Sequence, residues 1–524
     1  MAKITSFIPF FLCFFLVLFS CQNEQKKVEF LDQNISVEKK LEKLLDVNNL
    51  AEIGIDKDGQ QLLLDFYKAR NFKPIWCEKE KLSSTGQILA NYLKTPIAFG
   101  LPSKRFSALK WDSVYQLKNE IIITAMLARM KVDLKIGVLD TATKSLRPIQ
   151  YVNLDSLKIT LNFPSTENEI AAKIISWGPA DTNYQKLAYG LFYFAFSHPL
   201  ENNELKVPTV KKDSINSIIQ AKKSLYNKGF LAIENVNDSL FVIALKAFQD
   251  ENGQQKDGVV GTSTALALEE TNLHRCRRTA LAMEKWRWKS AFPEKYIYVN
   301  IPEFKLRFYN ADTLRSENKV IVGKPDHQTP EFTAKVRTIV AFPYWNVPYS
   351  ITSKEILPDV KRNPNYFKRN RMKIYRRGEE IDPSTVNWKK IRENTFPYSV
   401  KQDPGTHNSL GIIKFEFSNK YGVYVHDTPS KGLFNTTVRT YSHGCVRCEN
   451  PVDLAKMVLT QDENTMIPDS LDSIMSRKVN FPIHLKRSFL IQFDYITVIP
   501  NNKGGLLFLK DVYFKDEKFL KWMF

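Results

Sequence analysis

Over the first two hundred residues apolar positions recur at i, i+3 and i+4, the spacing that gathers side chains on one stripe of a helix. Leu41, Leu44 and Leu45 show it, as do Ile122, Ala125 and Met126. Turn signals at Pro74, Pro96, Gly100-Leu101-Pro102 and Pro164 punctuate these runs. The aromatic stretch Phe66-Tyr67 to Ile75-Trp76 reads as core packing. A second helical unit is predicted over 213–272, where Leu240, Ile243, Ala244, Ala247 and Phe248 make the apolar face of one helix. From Tyr296 the period changes to two. Tyr296 to Ile301 and Phe304 to Tyr309 read as paired strands, with Lys305 and Arg307 alternating against Leu306 and Phe308. Further short strands are expected at Val320 to Val322, Lys335 to Phe342, Val423 to His426 and Phe489 to Val498. One segment, about 352–403, interrupts the strands and is dense in Lys and Arg from Lys354 to Arg392. Inserts of that length are often lids; the plainer expectation is a solvated basic helix pair.

The fold class is therefore multidomain α+β. A helical scaffold spans 36–212, a small three-helix unit 213–272 and a helical connector 273–293. A mostly β catalytic candidate follows over 294–524, with the insert inside it. A length of 524 residues suits about three domains. Hydrophobic residues at 43% and charged residues at 25% exclude a disordered, collagen-like or polytopic membrane chain.

The N-terminus changes the expected compartment. Lys3, the apolar run Phe7 to Phe19 and small Ser20 form a secretory signal layout. The run is shorter than the roughly 20 apolar residues that a spanning helix needs. Leu18-Phe19-Ser20-Cys21 resembles a bacterial lipobox, which implies removal of residues 1–20 and lipid on Cys21. Residues 21–35 then read as a tether, and a lipidated Cys holds a protein at a membrane without spanning it. The formal charge of +19 suits anionic lipid or wall polymer in that setting, and nucleic acid is not expected there. Beyond Cys13 in the signal and the anchor remain Cys77, Cys276, Cys445 and Cys448, too few for a disulfide scaffold. A thiol that persists in an oxidising space needs a reason, and catalysis is one. Cys77 and Cys276 read as buried small residues.

The chemistry concentrates between Tyr424 and Arg447, which holds two of the seven His. Strand alternation puts Tyr424 and His426 on one face and Val423, Val425 and Asp427 on the other. Downstream comes Ser442-His443-Gly444-Cys445-Val446-Arg447. A Cys nucleophile needs a base and an oxyanion donor. Both His426 and His443 are candidates for the base. Gly444 allows close backbone approach, with the Cys445 amide as donor. Arg447 is placed to hold a carboxylate and to favour the thiolate. Cys445 and Cys448 could also form a redox pair or half of a zinc site, but no second ligand pair is well placed and no βαβ setting is present.

Two resemblances sharpen this. Phe248-Gln249, Gly253, Asp257-Gly258-Val259-Val260-Gly261 and Thr264 resemble the three-helix peptidoglycan-binding domain, chiefly as a turn signature. His426-Asp427-Thr428-Pro429 with Tyr441 to Arg447 resembles the L,D-transpeptidases with a YkuD-type domain. Asn346-Val347-Pro348 and Gln402-Asp403-Pro404-Gly405 … Asn408-Ser409-Leu410-Gly411 are similar to their large Gram-negative branch. That resemblance implies Cys445 as nucleophile and His426 as proton donor and acceptor. It leaves Ser442, His443 and Gly444 in support and makes Arg447 and Tyr424 substrate contacts. The implied substrate is peptidoglycan, through tetrapeptide stems bearing diaminopimelate. No metal or other cofactor is implied. The implied location is the periplasm, anchored to the inner or outer membrane of a Gram-negative bacterium.

Overall fold

The computed structural model describes residues 35–200, 204–462 and 468–524. The export signal, Cys21 and nearly all of the tether lie outside them. Contacts divide the chain into two units. The first holds the N-terminal two hundred residues with Thr279–Trp288 and Phe519–Phe524, and the second holds the rest.

The first unit is helical. Side chains of Ser36, Asp46, Asp56, Ser83, Asn153 and Asp181 accept hydrogen bonds from the opening turns of their helices, satisfying amides that have no partner inside the helix. The helix Leu117–Ile136 is buried on most of its circumference, so it runs through the core. It brings Glu120 inside, where the carboxylate accepts from the amides of Ile75 and Trp76, both at 2.7 Å, and from the Tyr67 hydroxyl at 2.8 Å. Phe66, Tyr67 and Trp76 are thus core, whereas Lys68 to Asn71 between them are exposed; burial raises the pKa of Glu120 more than its hydrogen bonds lower it.

The second unit begins with three helices, Ser214–Asn227, Asp238–Glu251 and Thr262–Glu269. Gln249, 1% exposed, donates to Asp257 Oδ1 and accepts from the Gly258 amide. The Gln, Asp-Gly and Thr signature is therefore a turn staple. The expected apolar face holds at Ala244 and Phe248 and fails at Leu240, Ile243 and Ala247. Phe241, Ala244, Leu245 and Phe248 are buried, whereas Leu240 and Ile243 are half or more exposed. The packed stripe begins one residue later than the first Leu suggests.

Next come thirteen strands, labelled here in chain order: β1 Lys295–Asn300, β2 Lys305–Asn310, β3 Thr313–Gly323, β4 Phe332–Ala341, β5 Trp345–Val347, β6 Met372–Arg376, β7 Glu379–Ile381, β8 Ser399–Gln402, β9 Ile413–Phe417, β10 Val425–His426, β11 Thr440–Ser442, β12 Val446–Cys448 and β13 Phe481–Asp494. Among the described residues, nine of these form one sheet in the order β11-β3-β12-β10-β9-β4-β13-β1-β2. A further β2–β3 pairing closes the strands from β3 to β2 into a ring, leaving only the short β11 at an edge of this sheet. Val299, Phe308, Val336, Phe415, Val425, Val446 and Ile491 fill the inside.

The insert is neither a helix pair nor a loose flap. It has its own four-stranded sheet, β7-β6-β8-β5, and its own core of Val347, Ile356, Leu357, Val360, Phe367, Ile374, Trp388 and Val400. Its root is stapled to the large sheet. The Asn408 amide donates to the carbonyls of Pro343 and Asp403, and Gln402 Oε1 accepts from the Ser409 amide. The Gln402 to Gly411 motif is thus a structural clasp.

Candidate active site

Register builds the site. Lys414 on β9 lies opposite His426 on β10, and His426 lies beside Arg447 on β12. Alternation then puts Tyr424 and Cys445, each two residues back, on that same face. The intervening Phe415, Val425 and Val446 point into the core. One outward face therefore collects Lys414, Tyr424, His426, Cys445 and Arg447. The Lys414 ammonium sits over the Tyr424 ring, 4.5 Å from its centre, and the Tyr424 and His426 rings meet edge to face at 5.5 Å.

Cys448 lies on the opposite face, fully buried in the core, and burial pushes its thiol up to about 12. It cannot share a redox or metal site with Cys445, because a strand turns residues of odd separation to opposite sides. Among the described residues there is no cluster of three or more His, Cys, Asp or Glu suited to a metal. Cys77 and Cys276 are buried, with raised pKa from the same cause.

The loop before Cys445 is tightly held. Ser442 Oγ donates to the Cys445 carbonyl at 2.5 Å and accepts from the Gly444 amide at 3.2 Å. Gly444 has φ of +108°, and a Cβ there would meet nothing closer than 3.6 Å. Backbone conformation, not lack of space, is what calls for glycine. Thr329, fully buried, donates from Oγ1 to the Gly444 carbonyl and accepts from the Gly323 amide, both at 2.9 Å. His443 turns away from the loop, and its Nε2 reaches Glu355 Oε1 of the insert at 2.6 Å.

Electrostatics set the resting protonation. Burial, followed by the positive charge of Arg447, lowers the pKa of His426 to about 3. Its Nδ1 is buried without a hydrogen bond of good geometry, and the Asp427 and Leu410 backbones beside the ring only partly counter the lowering. Burial also raises the pKa of Cys445. Hydrogen bonds from Tyr424 and the charges of Lys414 and Arg447 pull the other way but do not prevail. Arg447 thus favours the thiolate, as its charge demands, and burial outweighs it. The resting pair is a neutral thiol with a neutral imidazole. Asp427 stands apart, its carboxylate taken by the Ile412 amide and by Lys431.

Sequence reasoning passed over three residues that touch this site: Lys414, Thr329 and Glu355. Only Lys414 left a trace, as a polar position in an alternating strand facing His426. Cys21 lies outside the described residues. No helix among the described residues is long and apolar enough to cross a membrane.

Residues 294–468 match the family model described as the L,D-transpeptidase catalytic domain, YkuD. Residues 61–191 match the model described as a scaffold domain. A putative L,D-transpeptidase of Haemophilus influenzae is 34% identical over 223 residues, covering 42% of this chain and 45% of that protein. The chain thus spans less than half the length of that relative. An L,D-transpeptidase (Yku) from Stackebrandtia nassauensis is similar at 14% identity and a TM-score of 0.18, covering 57% of this chain and 96% of its own. The Ldtfm–avibactam carbamoyl enzyme is similar at 11% identity and a TM-score of 0.17, covering 41% and 61%. At those scores the structural likeness carries no weight.

Proposed function

We propose that this chain, which carries a YkuD-type L,D-transpeptidase catalytic domain over residues 294–468, cross-links peptidoglycan through a thioester on Cys445. The observation that carries the reading is the shared outward face of Cys445, His426 and Arg447 on adjoining strands. Cys445 Sγ attacks the carbonyl of the amide between diaminopimelate and the terminal D-alanine of a tetrapeptide stem. His426 takes the thiol proton as the bond forms and gives it to the departing D-alanine amine. A neutral imidazole suits this, because it is free to accept. The second half reverses the path: the side-chain amine of another stem attacks the thioester, its proton passes through His426, and the thiol is restored. The product is a 3→3 cross-link.

Arg447 holds the stem carboxylate, and Tyr424 stands against the reacting sulfur. The Gly444 amide is occupied by Ser442 Oγ, so the Cys445 amide serves the oxyanion. The insert, with exposed Arg369, Arg371, Arg376 and Arg377, attracts the acidic stems and acts as a lid. The Leu18 to Cys21 segment supports export, a lipid anchor on Cys21 and work in the periplasm at the inner or outer membrane. No cofactor enters the reaction.

The test is mass spectrometry of products from purified protein and tetrapeptide muropeptides. Dimers joined with loss of one alanine support the reading. Tripeptides alone would make the protein a hydrolase. No change, with the protein folded, would leave a wall-binding scaffold.

A further inference from the structure

The insert meets the Cys445 loop through a single-turn irregularity in its first helix. After Tyr349–Ile351 the helix widens into a π turn over Thr352–Ile356, in which the Leu357 amide donates to the Thr352 carbonyl five residues back. It then resumes as Leu357–Arg362. Such turns shift the phase of a helix and recur at functional sites. Here Ile356, Leu357 and Val360 still face the insert core, while Glu355, between them and the start of the helix, reaches His443 Nε2 at 2.6 Å. His443 lies two residues before Cys445 and one before the left-handed Gly444. Its other flank is the His327 ring, with centroids 5.3 Å apart.

We propose that Glu355 is a positioning residue that determines acceptor choice: its ion-pair contact with His443 latches the insert against the Cys445 loop, so that an amine rather than water reaches the acyl-enzyme. This rests on the function proposed above. The root of the insert is already fixed by Asn408 and Gln402. The insert's first helix is held to the loop by a partly exposed carboxylate–imidazole contact, with about half of the Glu355 side chain open to solvent. A contact of that kind is strong enough to bias a closed state and weak enough to release for a polymeric substrate. Water entering the open state attacks the same thioester carbonyl and ends the cycle as a free acid.

The test uses the full chain with Glu355→Ala and Glu355→Gln, assayed on tetrapeptide muropeptides. Glu355→Ala should raise the ratio of hydrolysed to cross-linked product by about 1.5- to 5-fold, the range expected for losing one half-exposed ion pair. Glu355→Gln, which keeps the side chain's size and loses its charge, should fall between. Alkylation of Cys445 by iodoacetamide should be unchanged, which separates a latch from damage to the nucleophile. Amide hydrogen exchange over 349–362 and 442–447 should quicken together in Glu355→Ala. An unchanged product ratio, where the wild-type protein cross-links, would overturn the latch alone. A wild-type protein that makes no cross-links would overturn the function instead. The latch would then fall if exchange in both segments were the same in Glu355→Ala as in the wild type.

Discussion

Thr329→Val removes the hydroxyl that holds the nucleophile loop while leaving side-chain volume nearly unchanged. In the native protein that hydroxyl donates to the Gly444 carbonyl and accepts from the Gly323 amide. All three groups are buried, so water cannot replace it. Stranding a buried donor or acceptor costs about 1–3 kcal/mol, giving about 2–6 kcal/mol for the pair before relaxation. Gly323 cannot relax cheaply, because its carbonyl also accepts from Tyr513 OH at 2.7 Å. Gly444, in a loop, can. We therefore expect a loss near the lower end, with part of it appearing as displacement of the loop. Urea unfolding measures the first and the rate of Cys445 acylation by a tetrapeptide measures the second. Thr329→Ser, which keeps the hydroxyl, should restore most of both. Unchanged stability and acylation in Thr329→Val would refute the claim that Thr329 positions Gly444.

Cys445→Ala should abolish cross-linking, whereas Cys448→Ala should keep the chemistry and lose about 1–2 kcal/mol of stability from the small cavity it leaves; product analysis and urea midpoints separate the two. The pKa of His426 in the folded protein, about 3, lies below the roughly 6.5 of a free imidazole. The unfolded chain therefore binds the extra proton first as pH falls. This group's contribution is complete above pH 6.5 and is lost toward pH 3, at up to about 1.4 kcal/mol per pH unit. Stability curves of His426→Gln and wild type should converge in acid and part near neutrality, and parallel curves would contradict the assignment. Reversing Arg369, Arg371, Arg376 and Arg377 to Glu should raise the concentration of polymeric peptidoglycan needed for half-maximal rate. The effect should fade at high salt, since exposed charges are screened beyond about 10 Å at 0.1 M. Steady-state kinetics at two ionic strengths check it.

What could be read from the chain follows physical range. Strand alternation is local, so the common face of Tyr424 and His426 was available from four consecutive residues. The Ser442 to Arg447 segment shows its chemistry in its residue types. Thr329 lies 115 positions from Gly444 and reaches it only because the closing sheet carries the end of β3 past β11 and β12. A lone Thr in a loop gives no sign of that. Glu355 was hidden by its surroundings, one acid in a basic segment, and its aim depends on a π turn that no residue pattern announces. The insert's core escaped notice because Phe367, Trp388 and Val400 recur at neither a helical nor a strand period. The helix over 238–251 shows the opposite failure. Leu240 and Ile243 fit a helical stripe, but Phe241 and Leu245 make a bulkier one a step later, and packing takes the bulkier.

The most direct measurement is to trap the reaction between purified full-length protein and a tetrapeptide stem, record the intact mass and locate the modified residue by peptide sequencing. A thioester-linked tripeptide on Cys445, formed with release of D-alanine and absent in Cys445→Ala, is the expected result. A folded, substrate-exposed protein carrying no acyl group, or carrying it on another residue, would contradict the assignment of Cys445 as the nucleophile.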